Sequence, residues 1–180
     1  MRQIKTDRLI IRPIQTQDHD DLQKILLDPE VVRYTRYRNI QTPDNYDLIF
    51  RNHFLDTPYT FGIETKEDHK FIGFYEFHPE NDTGILTYAL SQNTWGKGYV
   101  AEVGTAMMTY GFEVLGFNRI EAHYASLNPR SGRVMKKMGM HDLGSISSSV
   151  SPHTDKVREV MAYELTKENW FLNNSKEQAV

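Results

Sequence analysis

The sequence contains no cysteine, which excludes disulfides, thiolate-ligated metal sites and any mechanism that parks an acyl group on a protein thiol. Nothing therefore calls for an oxidising compartment, and the expected location is the cytoplasm. Long apolar runs are also missing. The N-terminus, "MRQIKTDRLIIRPI", offers one of only three residues, too short for a signal peptide, and no later stretch approaches the ~20 residues of a membrane span. A soluble protein with no membrane partner is expected. Charge of one sign is not in excess: the net charge is -3 and the 21 basic residues are dispersed, so direct binding of nucleic acid is not expected. The seven histidines show neither H-x-x-x-H nor any clustering with carboxylates at ligand spacing, and no metal is expected. There is no G-x-S-x-G and no recognisable nucleophile triad.

What is present is enough apolar material for a core, 39% hydrophobic and 12% aromatic over 180 residues. With no repeat or linker, a single domain is expected over residues 1–172, followed by a polar tail, 173–180, that frays. "RLIIRPI" reads as a strand ended by Pro13, and "TQDHDDLQKILLDPE" as an amphipathic helix with an acidic start at Asp18 and apolar Leu22, Ile25 and Leu26. "TPDNYDLIFRNHFLD" reads as a second helix, capped by Thr42 with Pro43 in its first turn. "YTFGIETK", "KFIGFYEFH" and "GILTYALS" are aromatic and β-branched runs split by turns. A helix over 101–115 follows, stopped by Gly116, then the strand "RIEAHYA", a short helix from Asn128-Pro129 to Met138, and a last strand "REVMAYELT". The order β-α-α-β-β-β-α-β-α-β, with six strands read directly, implies a mixed α/β (α+β) fold with helices packed on a mixed sheet, which is expected to be mostly antiparallel and to reach about seven strands.

Before the long helix stands "WGKGYVA". The helix is expected to bury Val103, Met107, Tyr110 and Val114 on one face. No Ser, Thr, Asp or Asn sits just before it to cap its first amides. Two glycines let a backbone bend into a nest of N–H groups, and the helix dipole adds attraction for an anion, so a phosphate or pyrophosphate is the natural ligand. The alternative is that Gly96 and Gly98 only shape a tight turn. The stretch also fits G-x-G-x-x-A with Glu121 in the following strand. However, a dinucleotide turn follows its strand directly, whereas "SQNTW" intervenes here.

With "TDRLIIRPI" at the front, "LTYALSQNTWGKGYVAE" in the middle, "NPRSGRVMKKMGM" after it and "YELTKENW" at the end, the chain resembles the GNAT superfamily of N-acyltransferases. The likeness is to its ribosomal-protein N-terminal acetyltransferase-like branch. The resemblance implies a GNAT-like fold and acetyl-CoA as cosubstrate. Trp95, Gly96, Lys97, Gly98, Tyr99, Val100 and Ala101 would form the pyrophosphate loop, and backbone groups near Leu90 would meet the pantetheine arm. Asn128 and Ser131 repeat the family's N-x-x-S pattern. Three positions depart from the superfamily: Trp95 stands where many members have Gln or Arg, Val100 where Gly or Ala is usual, and Met135 where many members carry a thiolate-protonating Tyr.

Acetyl transfer to an amine needs a neutral amine, a stabilised oxyanion and a proton for the leaving thiolate. An α-amino group titrates near 8 and lysine near 10.4, a difference of roughly 3 kcal/mol in deprotonation at neutral pH. Glu76 is the expected base, unless it is a solvent-facing strand residue, and Glu102 is its rival. Ser131 is the expected proton donor, or else a partner in the Asn128 helix cap. Arg130, Arg133, Lys136 and Lys137 would meet coenzyme phosphates or form a solvated face. The implied reaction is direct attack on the thioester by an amine, a protein N-terminus such as that of a ribosomal protein. A polyamine or aminoglycoside-like acceptor and a non-catalytic acyl-CoA-binding module are the alternatives. A homodimer is left open. The acceptor cleft is expected in "DPEVVRYTRYRNIQTPDNY", where Tyr34, Tyr37 and Tyr46 either line it or pack.

Overall fold

A computed structural model describes residues 3–40, 42–150 and 157–177. In chain order the elements are β1 (Ile4–Lys5), β2 (Leu9–Pro13), α1 (His19–Leu26), α2 (Pro29–Val32), α3 (Pro43–Ile49), β3 (Thr60–Thr65), β4 (Phe71–Glu80), β5 (Thr83–Leu90), α4 (Tyr99–Glu113), β6 (Arg119–Ala125), α5 (Pro129–Lys137), β7 (His141–Val150), β8 (Val157–Thr166) and α6 (Lys167–Glu177). The 8 strands hydrogen-bond in the order β1-β2-β3-β4-β5-β6-β8-β7. β5 and β6 pair in parallel, and the other described registers are antiparallel. The chain has a mixed α/β architecture on one mostly antiparallel sheet.

The chain forms two compact units, one from the N-terminus to Phe77 plus Thr87–Ala106, the other from His78–Leu86 plus Met107 onward. In the first, α1 buries Leu22, Ile25 and Leu26 in a cluster with Tyr46, Phe50, Phe54 and Phe74. Each fully buried apolar side chain of this kind contributes about 1.5–3 kcal/mol. Thr42 caps α3 by accepting from the Asn45 amide. Past α3 the chain runs through a π-helical turn, Phe50–Phe54. Asp18 does not cap α1: it is buried and accepts from Arg12 Nη1 and Nη2 at 2.7 and 2.9 Å and from the Gln15 amide at 2.8 Å. In the second unit Phe112 and Trp170 lie with ring centroids 6.2 Å apart, and a Cβ at Gly84 would stand 2.6 Å from the Phe117 ring.

Four features differ from the sequence expectations. The sheet has 8 strands rather than about seven, because β7 escapes notice: "HDLGSISSSV" has no strand-like apolar alternation. It is held by backbone pairing to β8, with bulges at Asp142/Gly144 and Ser145/Ser147. The helix α6 runs through Glu177, into the segment expected to fray, with Trp170 buried near its start; residues 178–180 lie outside the described ones. The short β1 and α2 were not expected either. In α4 the buried positions are Val103, Gly104, Met107, Met108, Gly111 and Phe112. Val114 is 64% exposed, because α4 ends at Glu113 and the buried stripe runs along two adjacent columns of the helix, not the single column expected.

Candidate functional site

The glycine loop belongs to the first unit and begins where β5 ends. β5 pairs with β6 from Thr83↔Arg119 to Leu86↔Ala122, and Thr87–Leu90 lie beyond that ladder. β4 and β5 approach so closely here that a Cβ at Gly73 would stand 2.2 Å from the Ala89 carbonyl oxygen. The Ser91 amide donates to the Ile72 carbonyl, and the half-exposed Trp95 turns its indole N–H back to the Leu90 carbonyl at 2.8 Å. Gly96 and Gly98 both have φ of 79°, a left-handed conformation that costs other residues about 1–2 kcal/mol. A Cβ at Gly96 would meet nothing within 4 Å, and one at Gly98 only Arg8 Nη2 at 3.7 Å. The glycines are thus required by backbone conformation, and the space beside them is open.

α4 starts at Tyr99, two residues before the expected start. The first backbone bond back to the loop runs from the Glu102 amide to the Gly98 carbonyl. The amides of Tyr99, Val100 and Ala101 therefore stand in the first turn, where no intrahelical acceptor exists. Open space, left-handed glycines and unmatched amides at a helix N-terminus fit a diphosphate.

Glu102 stabilises this loop. Its carboxylate accepts from Thr6 Oγ1 at 2.5 Å, from the Arg8 amide at 2.8 Å and from Arg8 Nε at 2.8 Å. Arg8 also donates to the Lys97 carbonyl at 2.9 Å and lies over the Tyr99 ring, 4.6 Å from its centroid. Burial pushes the Glu102 carboxyl up, but the bonds from Thr6 and Arg8 more than reverse this and hold it below the usual carboxylate range. A carboxylate so engaged is a poor base, and it ceases to rival Glu76.

Glu76 lies on β4 of the same unit, opposite Thr60 of β3. It is 0% exposed, which overturns the solvent-facing alternative. Tyr37 Oη donates to both of its oxygens at 2.7 Å, and His53 Nε2 lies 2.9 Å from Oε2 and 2.9 Å from Tyr37 Oη. The Tyr37 ring packs on Phe54 and Phe74; burial first, and then the Glu76 charge, hold its phenol far above the usual range. Tyr37 was expected either to line a cleft or to pack; His53 carried no signal at all, since its partner lies 23 residues away in the chain.

Asn128 and Ser131 belong to the second unit. Asn128 opens α5, but its side chain makes no cap bond to the backbone, unlike the capping alternative. Its amide donates to Ser131 Oγ at 3.0 Å, leaving the Ser131 hydroxyl proton to be donated elsewhere. Met135 is buried in the core. Arg130, Arg133, Lys136 and Lys137 are exposed, and Arg133 and Lys136 border a cleft of about 350 Å³ with Tyr124, Pro129, Glu159 and Tyr163. Among the described residues no group of three or more His, Cys, Asp or Glu could hold a metal ion, and no helix is long and apolar enough to cross a membrane.

The family model described as "Acetyltransferase (GNAT) domain" matches residues 8–141. The chain is 30% identical over 151 residues to the uncharacterized N-acetyltransferase p20 of Bacillus licheniformis, covering 80% of this chain and 85% of that one. Spermidine N-acetyltransferase from Vibrio cholerae, solved with CoA and spermine, superposes with a TM-score of 0.78 at 16% identity over 91% of this chain and 98% of its own. A proposed ribosomal-protein-serine acetyltransferase from Vibrio cholerae gives 0.66 at 18% identity over 92% and 97%.

Proposed function

The chain belongs to the GNAT acetyltransferases, and from that premise we propose that it acetylates the N-terminal α-amine of a protein, with ribosomal proteins as the precedent. Acetyl transfer is common to the family; the acceptor is our own reading. The observation that carries the donor half is the loop from Trp95 to Ala101, with its two left-handed glycines and open first-turn amides. These amides would hold the diphosphate, and backbone groups near Leu90 the pantetheine arm. The acceptor's neutral amine attacks the thioester carbonyl, a C–N bond forms, the C–S bond breaks, and the thiolate takes a proton, for which Ser131 is the donor. Glu76 is the carboxylate of the base machinery.

A polyamine is the second reading, favoured by the superposition on the spermidine enzyme. Against it, the segment that carries Tyr37 also carries the exposed Arg33, Arg36 and Arg38, with Arg33 paired to Glu30 at 3.1 Å, and such a segment offers a polycation little attraction. An α-amine also demands less of the base.

Calorimetric titration with acetyl-CoA, with NADH as control, tests the donor half. Saturable binding of acetyl-CoA alone is expected, and Gly98→Trp abolishes it while leaving a cooperative thermal transition; binding retained in that variant overturns the loop assignment. Thiol release with Ala- or Ser-initiated peptides should exceed that with spermidine. Ser131→Ala should lower kcat more than it raises KM, whereas equal loss in both makes Ser131 a binding residue.

A further inference from the structure

Glu76 is fully buried and Tyr37 nearly so, while the side chain of His53 is 38% exposed. Of the three members of this network only the imidazole reaches the surface, so a proton arriving from a bound amine meets His53 before the carboxylate.

With Glu76 ionised, the hydrogen bonds also assign the basic ring nitrogen. An ionised carboxylate only accepts, and a phenol has one proton. Tyr37 spends that proton on Glu76, 2.7 Å from each oxygen. His53 Nε2 lies 2.9 Å from both Glu76 Oε2 and Tyr37 Oη, two atoms that then have only lone pairs to offer it. The contacts are attractive only if Nε2 carries the hydrogen, and in the neutral ring the basic lone pair is then on Nδ1. A carboxylate that fixes one imidazole nitrogen as N–H and stabilises the imidazolium formed at the other is the arrangement of a general base with its orienting acid. The ring sits on the π-helical turn Phe50–Phe54, a backbone irregularity found often at functional sites.

We propose that His53 is the proton acceptor for the substrate amine, with Glu76 and Tyr37 as the residues that position it and fix its tautomer. This rests on the acetyl-transfer reading above. An acceptor ammonium gives one proton to Nδ1, leaving a neutral amine and an imidazolium opposite the Glu76 carboxylate. The amine then attacks the thioester, Ser131 gives its proton to the departing thiolate and is reprotonated by the amine's second proton, and the imidazolium returns its own to solvent. Tyr37 and Glu76 face the ring, and the charge of Arg36 acts on Tyr37.

His53→Gln keeps a group able to donate to Glu76, so the protein should still unfold in one cooperative transition, and the acetyl-CoA affinity should be unaltered. With Ala- and Ser-initiated peptides as acceptors it should lower kcat/KM by about 10²-fold and erase the rising limb of the pH–rate profile, as expected for loss of a general base. Turnover within threefold of the parent with the limb intact overturns the proposal. A second measurement needs no acceptor: ¹⁵N spectra of the imidazole should show the Nε2–H tautomer in the parent and a mixture in Glu76→Gln. An Nδ1–H tautomer in the parent overturns the assignment. Failure of the parent to bind acetyl-CoA would instead sink the acetyl-transfer reading, while the tautomer result would still decide the His53–Glu76 arrangement.

Discussion

Glu76 and Glu102 are two glutamates of the same unit, both withdrawn from solvent and both held by several hydrogen bonds, yet they are suited to opposite tasks. Glu102 accepts from a hydroxyl, a backbone amide and a guanidinium. The guanidinium does not exchange its proton in this pH range, so the carboxylate stays charged and ties the N-terminal segment to the glycine loop. Glu76 accepts from a phenol and lies 2.9 Å from an imidazole nitrogen, and the imidazole is the one side chain whose ordinary titration falls near neutrality. On the roles proposed above, the partners of a carboxylate, more than its burial, decide whether it is a fastener or part of a proton path.

Removing the charge from each glutamate is the most direct way to break this comparison. Glu76→Gln should lower kcat by about 10²-fold with acetyl-CoA affinity within twofold, since the tautomer and the charge opposite the imidazolium are both lost. If it instead weakens acetyl-CoA binding and spares turnover, the roles are reversed. Glu102→Gln should do the converse: acetyl-CoA affinity falls by about tenfold, some 1.4 kcal/mol, because Arg8 is released from the loop, while the pH–rate profile keeps its shape. The smallest effect is on stability. The folded Glu102 carboxyl is held below its unfolded value, so its contribution is present above about pH 4.3 and is lost as pH falls through the folded value. Arg8 is half exposed, and solvent screening keeps this contribution near 1 kcal/mol or less. The difference in Tm between the parent and Glu102→Gln should hold from neutral pH to about pH 5 and close as the folded carboxyl is protonated.

Much of the architecture was legible along the chain because its signals are local. Period-two aromatic and β-branched runs marked β3, β4 and β5; Thr42-Pro43 marked the start of α3, and Gly116, with positive φ, the end of α4. The glycine loop was legible for the same reason, since φ of 79° at two alternate positions admits glycine and little else. β7 was not, because an edge strand held by backbone pairing needs no pattern in its side chains. Val114 was misplaced because a heptad-like spacing continues past the last turn that the fold uses.

The proton network was legible only in part. Glu76 stood out as a carboxylate among aromatics, but Tyr37 and His53 join it from 39 and 23 residues away, and nothing in their own neighbourhoods announces the meeting. What the chain determined by itself was what short-range sterics and hydrogen-bond counts impose: where helices begin and end, which residues adopt left-handed backbone, and that a helix N-terminus is left without a cap. Tertiary structure alone decided which of two glutamates received a guanidinium and which a phenol and an imidazole, because a side chain's charge state answers to the groups packed around it, and strand and helix packing gathers those from distant parts of the chain.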